Sequence, residues 1–516
     1  MDDIGHSGRT TSVWMATQAV GLYPQMETDI ANVDVCIVGA GITGLTTAYL
    51  LVKNGKSVVV VDDGPIAAGE TERTTAHITN VIDDRYFEIV RIHGAGRAKL
   101  AADSLTKAID TIESIVNELK IDCDFQRLDG YLFLGEKDSD SILHKEFEAI
   151  TKFSLLDVER VEMLPFGLQV PALKFPRQAQ FHILKYINAL CEAVVSLGGR
   201  IFSYEHVDSI KDGDTVSIST KNGKTVNAKN LVIATNSPIS DRFQVHTKQA
   251  AYRTYAVGAR IERGIIPYAL YWDTEEPYHY VRIAPLSETQ DMLIVGGEDH
   301  RTGEADDAQV RFERLQQWIA RRLSLQVDCQ FKWSGQVYEP VDGLGFIGHD
   351  PGHGKNVFIS TGDSGMGMTH GTIAGMLLTD LICGRKSPWQ ELYDPNRKPF
   401  AAAVEFLEEN VNTMLQYGKK LMPASVNDSS QIGLGQGAII RRSGKQIAVY
   451  RDKFGDIHEL SATCPHLGAT VCWNKCEKSW DCPAHGSRFD AEGHVISGPA
   501  NADLEKIRQE PDKRIA

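Results

Sequence analysis

The β-branched run Val33–Val38 leads directly into Gly39-Ala40-Gly41-Ile42-Thr43-Gly44. A helical pattern follows and stops at Asn54-Gly55, and a second apolar run, Ser57–Val61, ends on Asp62. No other stretch restricts the fold so severely. The first glycine permits a tight turn, the second lets a pyrophosphate approach the backbone, and the third lets helix and strand pack closely. The start of the helix presents unpaired N–H groups to phosphates. Asp62, at the tip of the second strand, stands where it can accept from a ribose hydroxyl. Strand, glycine turn, helix, strand and acid in this order predict a dinucleotide-binding α/β unit over residues 33–62, with Gly39, Gly41, Ile42, Thr43, Gly44 and Asp62 on the cofactor. There is no second such glycine motif, so no separate nicotinamide site is expected.

A second constellation lies near the other end. Cys464-Pro465-His466 is followed, after fifteen residues, by Cys482-Pro483-Ala484-His485. Two thiolates and two imidazoles can close a tetrahedral zinc site. They can equally hold a [2Fe–2S] cluster in which two His replace two Cys on one iron. The Cys-x-His spacing argues against zinc-finger geometry. The flanks Leu467-Gly468 and Gly486-Ser487, with Gly498-Pro499-Ala500 downstream, resemble the two cluster loops and the covering loop of Rieske proteins. The resemblance implies Cys464 and Cys482 on one iron, His466 and His485 on the other, and Ser487 donating to a cluster sulfur. Rieske proteins of cytochrome complexes join their two loops by a disulfide and carry a Tyr two residues after the Ser. Here Ala469, Ala484 and Phe489 occupy those positions. Both losses predict a potential in the lower half of the Rieske range of roughly −150 to +300 mV.

The segment Gly69-Glu70-Thr71-Glu72-Arg73-Thr74-Thr75-Ala76-His77 resembles the flavin-facing loop of D-amino-acid-oxidase-type FAD oxidoreductases. Residues 356–383 read as strand, loop and helix, with Gly362-Asp363-Ser364-Gly365-Met366-Gly367-Met368-Thr369 between strand and helix. They resemble the late segment that closes over the flavin in that family. Trp333-Ser334-Gly335 and Asp342–Gly348 resemble further late motifs, and Val207 the valine whose backbone meets the adenine. The resemblance implies FAD held by Arg73, Thr74, Thr75, Ala76, Val207, Gly362, Asp363, Gly365, Met366, Gly367, Met368 and Thr369. It also implies a fold class: an α/β FAD/NAD(P)-binding Rossmann-type domain with an inserted antiparallel-sheet substrate domain. To this is added a small all-β Rieske domain.

Expected boundaries are 1–395 for the FAD domain, 396–431 for a helical connector with one amphipathic helix over 399–421, and 432–516 for the Rieske domain. Residues 1–31 show no clear period. A net charge of −14 argues against nucleic acid as a partner. No run of eighteen apolar residues marks a membrane span. Nine scattered cysteines and the lack of a signal pattern point to the cytoplasm.

A flavin joined to a one-electron cluster reads as a converter from two-electron to one-electron chemistry. The expected reaction is oxidation of an amine or amino acid, with electrons leaving through the cluster to an unidentified acceptor other than oxygen. Oxidation of a hydroxy acid, or a relay between proteins without a small substrate, are the alternatives. Because Arg binds carboxylates bidentately, Arg253 and Arg282 are candidates for holding a substrate carboxylate, with Tyr280 beside Arg282. His77 is placed to contact flavin or substrate, and no covalent link is expected there.

Overall fold

The structure is a computed structural model that describes residues 7–240, 244–398, 426 and 428–507. The predicted connector helix over 399–421 lies outside the described residues.

Two large sheets carry the first part of the chain. The eight-stranded sheet has a parallel centre in the order Val357–Thr361, Thr225–Ile233, Ile30–Val38, Val58–Val61, Arg200–Phe202. Its central strands read as unbroken Val and Ile because helices cover them. Val58–Val61 is four consecutive buried valines. Helix Ile42–Lys53 packs on Gly367–Ile382, and the approach is close because small residues line the seam. A Cβ at Gly371 would meet Thr43 Oγ1 at 2.8 Å, and one at Gly375 would meet Thr46 Cγ2 at 2.7 Å.

The nine-stranded sheet runs from the edge strand Cys329–Pro340 through Gln249–Glu262, Gln290–Arg301, His279–Pro285, Leu270–Asp273, Gln126–Phe133 and Gln169–Gln180 to His77–Ile78. It is mixed rather than purely antiparallel, because Leu270–Asp273 runs parallel to Gln126–Phe133. The long helix Tyr86–Leu119 is kinked at Gly94 (φ 78°). Its buried face carries Leu105, Ile109, Ile112 and Val116, as its 3.6-residue period requires.

The last part of the chain is two small antiparallel sheets. Gln436–Arg442, Lys445–Arg451 and Ile457–Ser461 form one, and Cys472–Asn474, Ser479–Asp481, Arg488–Asp490 and Val495–Ser497 the other. They close on a core that includes Trp473, Trp480 and Phe489.

The N-terminal segment, which shows no period in sequence, is a clamp. Ser7 N–H donates to Ala68 O at 2.9 Å, Ser12 Oγ to Glu72 O at 2.6 Å, and Trp14 Nε1 to Thr74 O at 2.7 Å. Its order comes from contacts with residues sixty positions away, which no local pattern encodes.

Candidate active site and cluster site

A cavity of about 410 Å³ runs along the tips of the parallel strands. Gly39, Gly41, Ile42, Thr43, Asp62, Arg73, Thr74, Val207, Asp363, Gly365, Gly367 and Met368 line it. Gly44, Thr75, Ala76, Gly362, Met366 and Thr369 belong to the same loops without lining it. Gly39 has φ 101°, and a Cβ there would collide with Ala234 O. Asp62 fixes the turn, accepting from Ala40 N at 2.5 Å and Gly64 N at 3.1 Å.

Two helices start on this cavity, Ile42–Lys53 and Gly367–Ile382, and neither has a side-chain cap. Ile42 N–H donates to Thr71 Oγ1 at 3.1 Å, while the positive ends of both helix dipoles face the cavity and favour an anionic ligand. Asp363 Oδ1 is buried there without a hydrogen-bond partner, and burial pushes its carboxyl up to about 7. Uncapped helix starts, a glycine cradle and an orphaned buried oxygen fit a dinucleotide that completes the site.

The second site is built from two loops of matching form. Gly468 N–H donates to Cys464 O at 2.9 Å, and Gly486 N–H to Cys482 O at 3.0 Å. Both glycines sit at φ 80°, which favours Gly and explains the Gly at each loop end. The loops bring the His466 and His485 rings to 5.0 Å between centroids, at 87°. His485 Nδ1 is buried and makes no hydrogen bond. The Cys464 and Cys482 sulfurs are within hydrogen-bonding reach of each other, and the Ser487 hydroxyl bonds the Cys464 sulfur while accepting from Ala500 N at 2.9 Å. Two thiols and two imidazoles converging from paired loops are the donor set of a His₂Cys₂ [2Fe–2S] cluster.

Residues 34–381 match the family FAD dependent oxidoreductase, and residues 423–508 match the Rieske [2Fe-2S] domain. The chain belongs to the FAD dependent oxidoreductase family. It carries a C-terminal Rieske domain, and its cofactors are FAD and a [2Fe–2S] cluster. The same architecture extends along a relative described as a Rieske 2Fe-2S iron-sulfur protein, YhfW, of Bacillus subtilis. That protein is 31% identical over 96% of this chain and 97% of its own length. Gamma-glutamylputrescine oxidoreductase of Escherichia coli is 22% identical over 69% of this chain and 84% of that protein. Among solved structures, glycine oxidase from Geobacillus kaustophilus superposes with a TM-score of 0.61 at 18% identity, over 71% of this chain and 99% of that one. With a family of FAD-dependent oxidoreductases, the chain is an enzyme.

The candidate catalytic residues are scattered by the structure. His77 and Tyr280 meet edge to face at 5.5 Å, and Tyr280 Oη lies 2.9 Å from Thr254 Oγ1 on the cavity wall. Burial, helped by the charge of Arg282, pushes His77 down to about 3, so its ring is neutral. Arg282 is not open to a substrate. It donates to Thr75 O (2.8 Å), Ala76 O (2.8 Å), Phe181 O (2.6 Å) and Gln180 Oε1 (3.0 Å), and so holds the flavin loop. Arg253 points the other way, donating to Ser334 Oγ at 3.0 Å and facing Asp481 of the Rieske domain at 3.8 Å. The Arg73 guanidinium also turns from the cavity, to Ser334 O at 3.0 Å and Glu477 at 3.5 Å. Arg282 is taken up by backbone carbonyls, and Arg253, whose Nε and Nη2 make no hydrogen bond, faces the Rieske domain and does not line the FAD cavity.

Sequence reasoning missed three features. Glu477 lies buried among Arg73, Arg253 and Arg488. His246 of the FAD domain stacks edge-on against His466 at 5.3 Å. Asp83 and Asp84 touch the flavin-closing loop, Asp83 Oδ2 beside Gly365 and Asp84 Oδ2 accepting from Ser364 Oγ at 3.0 Å. Only the adjacent Asp83-Asp84 pair left a trace in the sequence.

Proposed function

We propose that the protein oxidises an amine or amino acid at its FAD and passes the electrons singly to its own Rieske cluster. When bound, FAD accepts a hydride and the cluster carries one electron at a time.

The observation that carries this reading is the edge strand Cys329–Pro340. Successive side chains of a strand point to opposite faces. Gly335, Gln336 and Val337 line the FAD cavity. Ser334, Gln336 and Tyr338 face the Rieske domain: Ser334 Oγ donates to Glu477 at 2.5 Å, Gln336 Nε2 to Gly486 O at 2.9 Å, and Tyr338 Oη to Gly498 O at 3.2 Å. The strand stands between the two sites and bonds the cluster loops themselves, and the cavity also reaches the covering loop at Gly498 and Ala500. The chain's own residues therefore orient one site toward the other. His77, at the end of the flavin loop, and Tyr280, packed against it, are neutral groups suited to orienting an amine. Exposed Pro465, beside His466, offers an exit for electrons to an external carrier. Free thiols at Cys36, Cys123, Cys191 and Cys329 support a reducing, cytoplasmic setting.

The test is anaerobic mixing with a panel of amines, amino acids and hydroxy acids. The expected result is flavin bleaching by an amine-bearing compound, followed by the paramagnetic signal of a reduced Rieske cluster. Bleaching with a cluster that stays oxidised would reject the internal transfer. Bleaching by hydroxy acids alone would reject the substrate class.

A further inference from the structure

The FAD cavity is not walled by the FAD domain alone. The strand Val495–Ser497 of the Rieske domain lines it, together with Gly498, Ala500, Asn501 and Asp503. These residues are the covering loop and the chain on either side of it. They meet the FAD domain at both ends of the stretch they cover. At one end, Gly498 O accepts from Tyr338 Oη at 3.2 Å. A Cβ on Gly498 would come to 3.2 Å from Ser237 O, just past the cavity residues Thr235 and Asn236. At the other end, Asn501 Nδ2 donates to Val207 O at 2.8 Å, and His206 lies between Asp63 Oδ2 at 2.9 Å and Asn501 O at 3.4 Å. Lys221 Nζ meets Asp503 at 3.2 Å, and Asp503 Oδ1 accepts from Val495 N at 3.0 Å, which ties the strand to this contact.

The second end is where a dinucleotide on this fold puts its nucleoside. The glycine turn 39–44 takes the pyrophosphate, and Asp62, at the tip of the neighbouring strand, stands on the ribose side of it. Glu205 N–H donates to Asp62 O at 2.7 Å, which sets His206 and Val207 beside that acid, and all of them line the cavity. Across from them the Rieske domain supplies an apolar side chain. Ile496 lines the cavity half-buried and packs in neither apolar cluster of the Rieske domain among the described residues, whereas its neighbour Val495 packs on the core. Successive residues of a strand point to opposite faces, so Ile496 turns away from the core that holds Val495. Cofactor sites are mostly apolar walls with a few polar groups that fix orientation. An isoleucine beside a carboxamide supplies both for a purine nucleoside.

Resting on the dinucleotide reading of the glycine turn and Asp62, we infer that the Rieske domain is the outer wall of the FAD site. Ile496 and Asn501 bear on the adenosine half, and FAD enters or leaves only when the domain lifts. The coupling is reciprocal: if docking retains FAD, bound FAD holds the domain docked by the same free energy. The cofactor is thus kept in place in the same arrangement that lays the cluster loops against the strand Cys329–Pro340. This wall serves the flavin whatever compound reduces it.

The test follows backbone hydrogen exchange by mass spectrometry in the full chain with its cluster, with and without saturating FAD. The expected result is that FAD slows exchange in the glycine turn 39–44 and also in the Rieske segment 495–503. Slowing at the glycine turn with an unchanged 495–503 segment would overturn the Rieske wall and leave the dinucleotide reading standing. No slowing at the glycine turn would overturn both. Asn501→Ala and Ile496→Ala are compared with the parent holoenzyme by the rate at which free FAD fluorescence appears on dilution. Both are expected to release FAD faster, by roughly fivefold for the lost hydrogen bond and roughly tenfold for the lost apolar contact. An unchanged paramagnetic signal of the reduced cluster shows that the Rieske domain of each variant is folded. Release at the parent's rate in both variants would mean that the FAD domain retains its cofactor by itself, and would overturn the Rieske wall.

Discussion

Ser487 shows how much one hydroxyl can govern. It is fully buried, bonds the Cys464 sulfur and accepts from Ala500 N, so the covering loop fixes its rotamer. A hydrogen bond to a cluster sulfur stabilises the more negative, reduced cluster and raises its potential. Ser487→Ala is therefore expected to lower the potential, and Phe489→Tyr to raise it if the added hydroxyl reaches the same sulfurs. A protein-film titration of each variant checks both signs, and an unchanged value in Ser487→Ala would count against the bond. These residues were legible because the cluster's ligands must sit at fixed offsets within two short loops. Arg253 and Arg282 were not legible in the same way. An arginine beside a tyrosine on a strand carries no mark of which face it serves, and the partner that decides it is 228 positions away for Asp481 and about 100 for Phe181.

At the scale of elements, the strand Cys329–Pro340 does something that its sequence does not announce. Its apolar and polar residues do not alternate cleanly, because both faces are buried, one by the FAD site and one by the Rieske domain. The period-2 signal that marks a half-exposed strand is lost when both faces are covered. The parallel core, by contrast, was readable from glycine spacing and valine runs. Tyr338 joins the two sides: its backbone oxygen accepts from Ser364 N at 3.0 Å in the flavin-closing loop, and its hydroxyl reaches Gly498 O at 3.2 Å. Tyr338→Phe removes a hydrogen bond of about 1 kcal/mol, roughly a fivefold shift in docking. The expected outcome is slower reduction of the cluster after the flavin has been bleached, with the bleaching step itself unchanged. Stopped-flow spectra at two wavelengths separate the steps, and a variant slowed only in bleaching would assign Tyr338 to the substrate side instead.

Across the whole molecule, the two cofactor domains are joined by a buried ionic core that also captures the N-terminus. Arg73 faces Glu477 at 3.5 Å with both side chains wholly buried. Arg488 Nε meets Asp481 at 3.1 Å, and its guanidinium also donates to Ser7. Thr10 Oγ1 donates to Glu477 Oε1 at 2.6 Å. Burial alone would push the Glu477 carboxyl up, but the guanidinium groups of Arg73, Arg253 and Arg488 overcome it and bring it from 4.5 down to about 2. A pKa lowered in the docked state means that docking gains stability above the undocked value and loses it as pH falls toward the docked one. The full contribution, about 3 kcal/mol, is present above pH 4.5 and disappears progressively between about pH 4.5 and 2. Glu477→Gln imitates the acid end at neutral pH and leaves three buried guanidinium groups short of a counter-charge, which costs on the order of 3–5 kcal/mol. The expected result is that the variant binds FAD and assembles its cluster, yet shows a larger radius by small-angle scattering and slow flavin-to-cluster transfer at pH 7. The parent protein should reach that state only in acid. A variant as compact and as fast as the parent would mean that the strand Cys329–Pro340 and its hydrogen bonds hold the domains together without the ionic core.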